Sequence, residues 1–144
     1  CNPLRIRMLY SPLILKIMSS EKKIYELHRE HQEWLNKLSF YKDDLMVMQN
    51  RVEEIAAKNT SKDVLAMVDH YLNQFIIQRE QIQHLKHAIK GNEHQIEDSI
   101  HKNAVAVDHR TMPDDVANRE KMARFEEIFA ELRSDLMNFL AKTF

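Results

Sequence analysis

A chain of 144 residues with one glycine, Gly91, and only three prolines has room for very few turns. Sheet proteins reverse direction often and use glycine and proline to do it. This chain must therefore run in a few long elements. With 30% charged and 44% apolar residues, those elements are long amphipathic helices. The length fits one domain with a real core.

Ile24, Leu27, His31, Trp34, Leu38, Tyr41, Leu45, Met48, Val52 and Ile55 recur at alternating steps of three and four, the spacing of a coiled-coil seam. Ser20 reads as the N-cap of this helix, with Glu21 in its first turn. Asn59-Thr60-Ser61 breaks the pattern, and Ser61 or Thr60 can cap a second helix. Its core series is Leu65, Val68, Leu72, Phe75, Ile82, Ile89, Ile96 and Ile100. Val64, Tyr71, Ile76 and Leu85 widen that stripe, as expected of a helix with neighbours on two sides. Gly91 leaves the phase undisturbed, so the sequence predicts a continuous helix weakened by about 1 kcal/mol. Thr111-Met-Pro-Asp-Asp reads as a third start, with Pro113 in the first turn and Asp114 and Asp115 at the positive end of the dipole. Val116, Met122, Phe125, Phe129, Leu132, Leu136 and Phe139 then share one face.

The predicted fold is all-α: an elongated antiparallel three-helix bundle or coiled coil with a two-helix hairpin tip. Its helices cover about 21–58, 61–104 and 113–142, within a single domain over 18–144. Residues 1–17 differ in character from the rest of the chain. Their apolar run is shorter than the roughly 20 residues a membrane span needs, and it has no signal-peptide cleavage site. Met18-Ser-Ser-Glu reads like a translation start, so 1–17 are expected to be a non-native or disordered leader.

Folding the helices back at short connections sets their levels. Trp34 comes level with Lys86, His31 with Ile89, Phe129 with Ala88, and Leu136 with Gln81. The third helix would then stop near Asn73. Beyond it Met46, Val47, Met48, Val52, Ile55, Val64, Leu65, Met67 and Val68 exceed what one two-helix seam can bury. A surplus of that kind marks an association surface, and a homodimer through this tip is the expectation.

Histidine is the main chemical signal, with eight residues. His28/His31 and His84/His87 are spaced to share a helix face. Together with Glu127 and Glu131 they form a conceivable metal set of the kind helical bundles carry. The paired Glu-x-x-His motifs of di-iron bundles are missing, however, and so is HExxH. The favoured reading has no metal and no cofactor: His31 is a hydrogen-bonded core residue and the others are surface residues. His31, Arg79 and Lys86 act as register devices, with Glu30, Glu33 or Glu126 as expected partners. Trp34 and Tyr41 read as core aromatics.

Other functions are excluded more firmly. One glycine cannot build a phosphate-cradling loop, and no serine has a nucleophile elbow, so an enzyme is not expected. Twenty-one basic and twenty-two acidic side chains, interleaved along the chain, make no nucleic-acid footprint. No helix has the strongly basic face of a membrane-surface protein. A lone cysteine, Cys1, fits a reducing compartment, and a cytoplasmic location is expected. In His28-Arg-Glu-His-Gln-Glu-Trp-Leu-Asn-Lys-Leu-Ser-Phe-Tyr-Lys-Asp-Asp-Leu and in Asn73-Gln-Phe-Ile-Ile-Gln the chain resembles small uncharacterised helical proteins of Bacteroidetes-type bacteria, over most of residues 18–144. That resemblance implies no activity. The function expected is protein–protein association, as scaffold, adaptor or oligomerisation unit, with a metal-binding bundle as the alternative.

Overall fold

A computed structural model describes residues 21–102 and 111–144. The leader expected over 1–17, including Cys1, and the connection over 103–110 lie outside the described residues. In chain order the elements are β1 (Glu21–Lys23), α1 (Ile24–Lys58), α2 (Lys62–Lys102), β2 (Thr111–Pro113) and α3 (Val116–Thr143). The fold is an all-α three-helix bundle carrying one short two-stranded ribbon.

The α1 seam is buried as its spacing predicts: Ile24, Leu27, His31, Trp34, Leu38, Leu45, Met48, Val52 and Ile55 all face inward. Asn59 closes α1 with its side-chain amide, which donates to the Ile55 carbonyl at 3.0 Å. The Leu65 amide donates to the Ser61 carbonyl, so α2 starts within the same short loop. The helices are forced antiparallel.

On α2 the buried series is Val68, Tyr71, Phe75, Gln78, Ile82, Leu85, Ile89, Glu93 and Ile96. Two members are polar, Gln78 and Glu93. Tyr71 and Leu85 occupy the seam itself, while Leu65 and Leu72 are half-buried and Ile76 is exposed. On α3, Met122, Phe125, Phe129, Leu132 and Leu136 are buried, and Val116 and Phe139 are half-buried.

Both helix starts near the ribbon differ from the sequence reading. Glu21 to Lys23 are extended and pair antiparallel with Pro113 to Thr111. α1 therefore begins at Ile24, behind a Lys23 that makes no side-chain cap; Ser20, the expected cap, lies outside the described residues. Pro113 belongs to β2 rather than to a first helical turn. It has no N–H to give a ladder and is tolerated in so short an edge pairing. Asp115 is the residue that caps α3, accepting from the Asn118 amide.

The level of α3 is also corrected. Asp115 is hydrogen-bonded to Asn92, so α3 starts about ten residues in from the end of α2 instead of beside it. The Phe139 ring meets Tyr71 at 5.2 Å, where the sequence placed Phe139 two turns away at Gln78. Thr111 to Pro113, expected within the start of the third helix, form a strand instead, and α3 begins level with Asn92. As a result α3 runs towards the hairpin end, where Phe139 and Leu140 pack on the core that holds Val52, Ile55 and Val68. The two-helix tip shrinks to its last turns.

Gly91 lies inside an unbroken α2. A Cβ there would meet nothing within 4 Å. Gly91→Ala should remove backbone freedom from the unfolded chain at no steric cost. Stability should rise by about 1 kcal/mol and the thermal midpoint by about 3 °C, read by urea and heat denaturation followed by circular dichroism. A loss of stability would mean that α2 needs to bend at this point.

Candidate functional site

Two places in the bundle concentrate polar chemistry among apolar surroundings. The first is a buried cluster at the ribbon end. His31 is 0% exposed, and its Nδ1 lies 2.7 Å from Glu93 Oε1 on α2. Its Nε2 lies 2.8 Å from Asp115 Oδ2 at the start of α3. A carboxylate only accepts, so both ring nitrogens must donate, and only the imidazolium carries two N–H groups. Burial works against the charge. The hydrogen bonds to Asp115 and then Glu93 outweigh it and raise the His31 pKa above 6.5. Asp115 is pushed up by burial too, yet hydrogen bonds from His31, Asn92 and Asn118 bring it down to about 2. The second oxygen of Glu93 accepts from His28 Nδ1 at 2.7 Å.

A second layer of charge covers this cluster. Arg119 reaches both oxygens of Asp114 at 2.7 Å and also bonds Glu30. Its guanidinium lies 5.9 Å from the centre of the Trp34 ring. Asp114, and then Glu30, hold the Arg119 proton more tightly than in free arginine. Lys22 completes the set through Glu30 at 3.3 Å and Asp114 at 3.8 Å. The expected partners of His31, Arg79 and Lys86 are corrected accordingly. Glu30 serves Arg119, Glu126 accepts from Tyr41 at 2.8 Å, and Arg79 donates to Gln49. The Tyr41 hydroxyl, partly buried and facing the Glu126 carboxylate, is pushed up to about 12.

The second place is a groove of about 500 Å³ between α2 and α3. Ile77, Leu85, Ala88, Phe125 and Ile128 supply its apolar surface, and Gln74, Gln78, Gln81, His84, Lys121 and Arg124 its polar rim and floor. Ile77 is 45% and Ile128 39% exposed. Gln78 is only 4% exposed, and its side-chain carbonyl has no hydrogen-bond partner among the described residues. Ion pairs knit α1 to α3, through Lys37–Glu126, Arg119–Glu30 and Arg133–Asp44. Among the described residues none crosses from α2 to α3.

The residues singled out in the sequence are dispersed. Of the conceivable metal set, His28 and His31 meet on Glu93, a residue the sequence did not single out. His84 stands at the groove, and His87, Glu127 and Glu131 are exposed. Among the described residues no group of three or more His, Cys, Asp or Glu side chains is arranged to hold a metal ion. The tip set divides as well. Met48, Val52, Ile55 and Val68 lie inside the α1–α2 seam, where one seam and the end of α3 absorb them, so they offer no surface to a second chain. Val64 and Leu65 are half-buried. Met46 and Met67 remain exposed, as does Val47.

The site roles of Glu93, Asp115 and Gln78 escape the sequence reading. Counting seam steps from Ile82 and Ile96 lands on Gln78 and Glu93, so heptad position could have flagged both. No family model, curated protein or solved structure matches the chain, and the geometry alone carries the functional argument.

His31→Ala would leave two buried carboxylates without their cation, a change that costs about 3–5 kcal/mol. Because the folded pKa of His31 is raised, its contribution is complete below pH 6.5 and is lost as pH rises through the folded value. Asp115 is depressed, so its contribution is present above 3.8 and is lost as pH falls towards 2. Urea denaturation across pH should show greatest stability between these limits and a decline on the alkaline side. In His31→Ala the decline should begin at lower pH, as the two carboxylates left without a cation ionise. A wild-type curve flat from about pH 6 to 9 would refute the charged imidazole.

Gln78→Leu removes a buried acceptor that lacks a donor, and should stabilise the bundle by about 1 kcal/mol, measured in the same denaturation. Destabilisation would show that the Gln78 carbonyl is already satisfied in the free protein.

Proposed function

We propose that this protein is a non-enzymatic helical bundle that works by protein–protein association, as an adaptor or scaffold in the cytoplasm. The observation that carries the reading is the α2–α3 groove, where Ile77 and Ile128 stay exposed beside a side of the bundle with no ion pair closing it among the described residues. Apolar surface left open and rimmed by polar groups is the usual mark of a binding face.

The rest of the molecule supports the same view. His31 and Asp115 are buried and spend their hydrogen-bonding capacity on each other and on Glu93, Asn92 and Asn118. A general base must reach a substrate proton, and His31 has no ring nitrogen left to do so. Among the described residues no helix is long and apolar enough to cross a membrane.

Association through the hairpin end, in a homodimer, is a second site of the same kind. It would rest on Met46, Val47 and Met67, which stay exposed there. A photo-crosslinking residue placed at Ile77 in the source cells should give protein adducts of defined mass, and one at Met46 should report the hairpin end. Phe40, exposed but outside the groove, serves as background. No adduct above that background from either position would end the association reading.

A further inference from the structure

We infer that the α2–α3 groove receives an acidic amphipathic helix of about four turns, contributed by another protein. This rests on the association reading and names the partner's chemistry. Length comes first. The lining on α2 runs from Gln74 to Ala88, about 21 Å along the helix, and a partner helix of roughly 14 residues spans that distance. A trough between two long helices is the surface into which an amphipathic helix lays its apolar face. Ile77, Leu85, Phe125 and Ile128 would meet its residues at i, i+3, i+7 and i+10.

Charge decides the sign of the partner. Lys121 and Arg124 stand on the α3 side, and neither pairs with a carboxylate among the described residues. The imidazole of His84 stands on the α2 side. Among the described residues no aspartate or glutamate lines the groove, although the chain as a whole is almost neutral, at −1. Where cations elsewhere on the bundle are matched, as at Lys22, Lys37, Arg51, Arg119 and Arg133, an acid stands beside them; the groove lining holds none. A rim with two cations and no acid selects an acidic flank and steers its approach.

The buried Gln78 carbonyl has no donor among the described residues, and the free protein carries that deficit at the groove. The charge argument also separates the possible occupants. Residues 1–20 contain Arg5, Arg7 and Lys16 and no acid, so the rim repels the chain's own leading segment.

The test uses the full chain and three labelled peptides, read by fluorescence anisotropy. The first is a synthetic helix of about 16 residues with leucines on one face and glutamates flanking them. The second replaces every glutamate with lysine. The third is residues 1–20 of this chain. The acidic peptide should bind with a dissociation constant on the order of 10 μM, weakening several-fold between about 50 and 300 mM salt. Lys121→Glu with Arg124→Glu, both surface changes, should weaken it about tenfold or more with helicity and thermal midpoint unchanged. Ile77→Glu should do the same through lost apolar contact.

Equal or tighter binding of the lysine peptide overturns the inference while leaving association itself to the crosslinking result. Tighter binding of the 1–20 peptide gives the groove to the chain's own segment. A concentration-dependent dimer abolished by Ile77→Glu gives it to a second copy. Either outcome overturns the inference, and so does failure of all three peptides to bind.

Discussion

At the level of His31 a heptad seam would ordinarily bury a leucine or isoleucine. An imidazole stands there instead, bonded at both nitrogens to carboxylates from the other two helices. Each of the three groups would be costly to bury alone, and each is tolerable only with the others in place. The arrangement therefore tolerates one register and penalises the rest. Sliding α2 by one turn would set Glu93 against an apolar level of α1, and moving α3 would strip Asp115 from both His31 and Asn92. An apolar residue at the same position would pack as well but would not distinguish one turn from the next. Because helices are stiff rods with a fixed rise, this one contact sets levels far from itself. Tyr41 finds Phe125 and Phe129, and Tyr71 finds Phe139, at distances along α3 that Asp115 has already determined.

The positions that the sequence revealed and those it hid differ in kind. Periodicity within one helix is a local property, and the α1 seam could be read from Ile24 to Ile55 without knowing what it faces. His31 was legible as a core residue for the same reason. Its partners were not, because a partner depends on the relative level of two helices, and that level is fixed by the connection between them. The loop at Asn59 to Ser61 is too short to allow much choice, so the α1–α2 level came out within about one turn: His31 expected at Ile89 meets Glu93. The connection before α3 is long, and part of it pairs with β1. Nothing in the local pattern says that Thr111 to Pro113 pair with β1 or that Asp115 stands at Asn92. The misplaced tip traces to that single unknown, whereas His84 and His87 are kept apart from His28 and His31 by the face of α2 they occupy.

Gln78 and Glu93 were hidden by their type. A glutamine or glutamate at a seam position reads as a gap in the apolar series, although the steps on either side pass straight through it. The two gaps have opposite outcomes. Glu93 is saturated by two histidines and locks the bundle. Gln78 is left with an unmet carbonyl, beside the part of the surface where apolar side chains remain exposed.

That contrast links stability to use. At the ribbon end the charges are internally matched, and the α1–α3 edge is bridged by three ion pairs, so that edge gives a partner little to improve. Exposed ion pairs add little stability, but they occupy the charges that would otherwise recruit something. On the α2–α3 side no acid lines the groove and two isoleucines are only half covered. A bundle under selection for stability alone could close that side with the same devices it uses on the other. Leaving the interactions unmade keeps them available to a second molecule, and the rigid lock at His31 holds the groove's two walls at a fixed level. A partner then meets a preformed surface and need not order it.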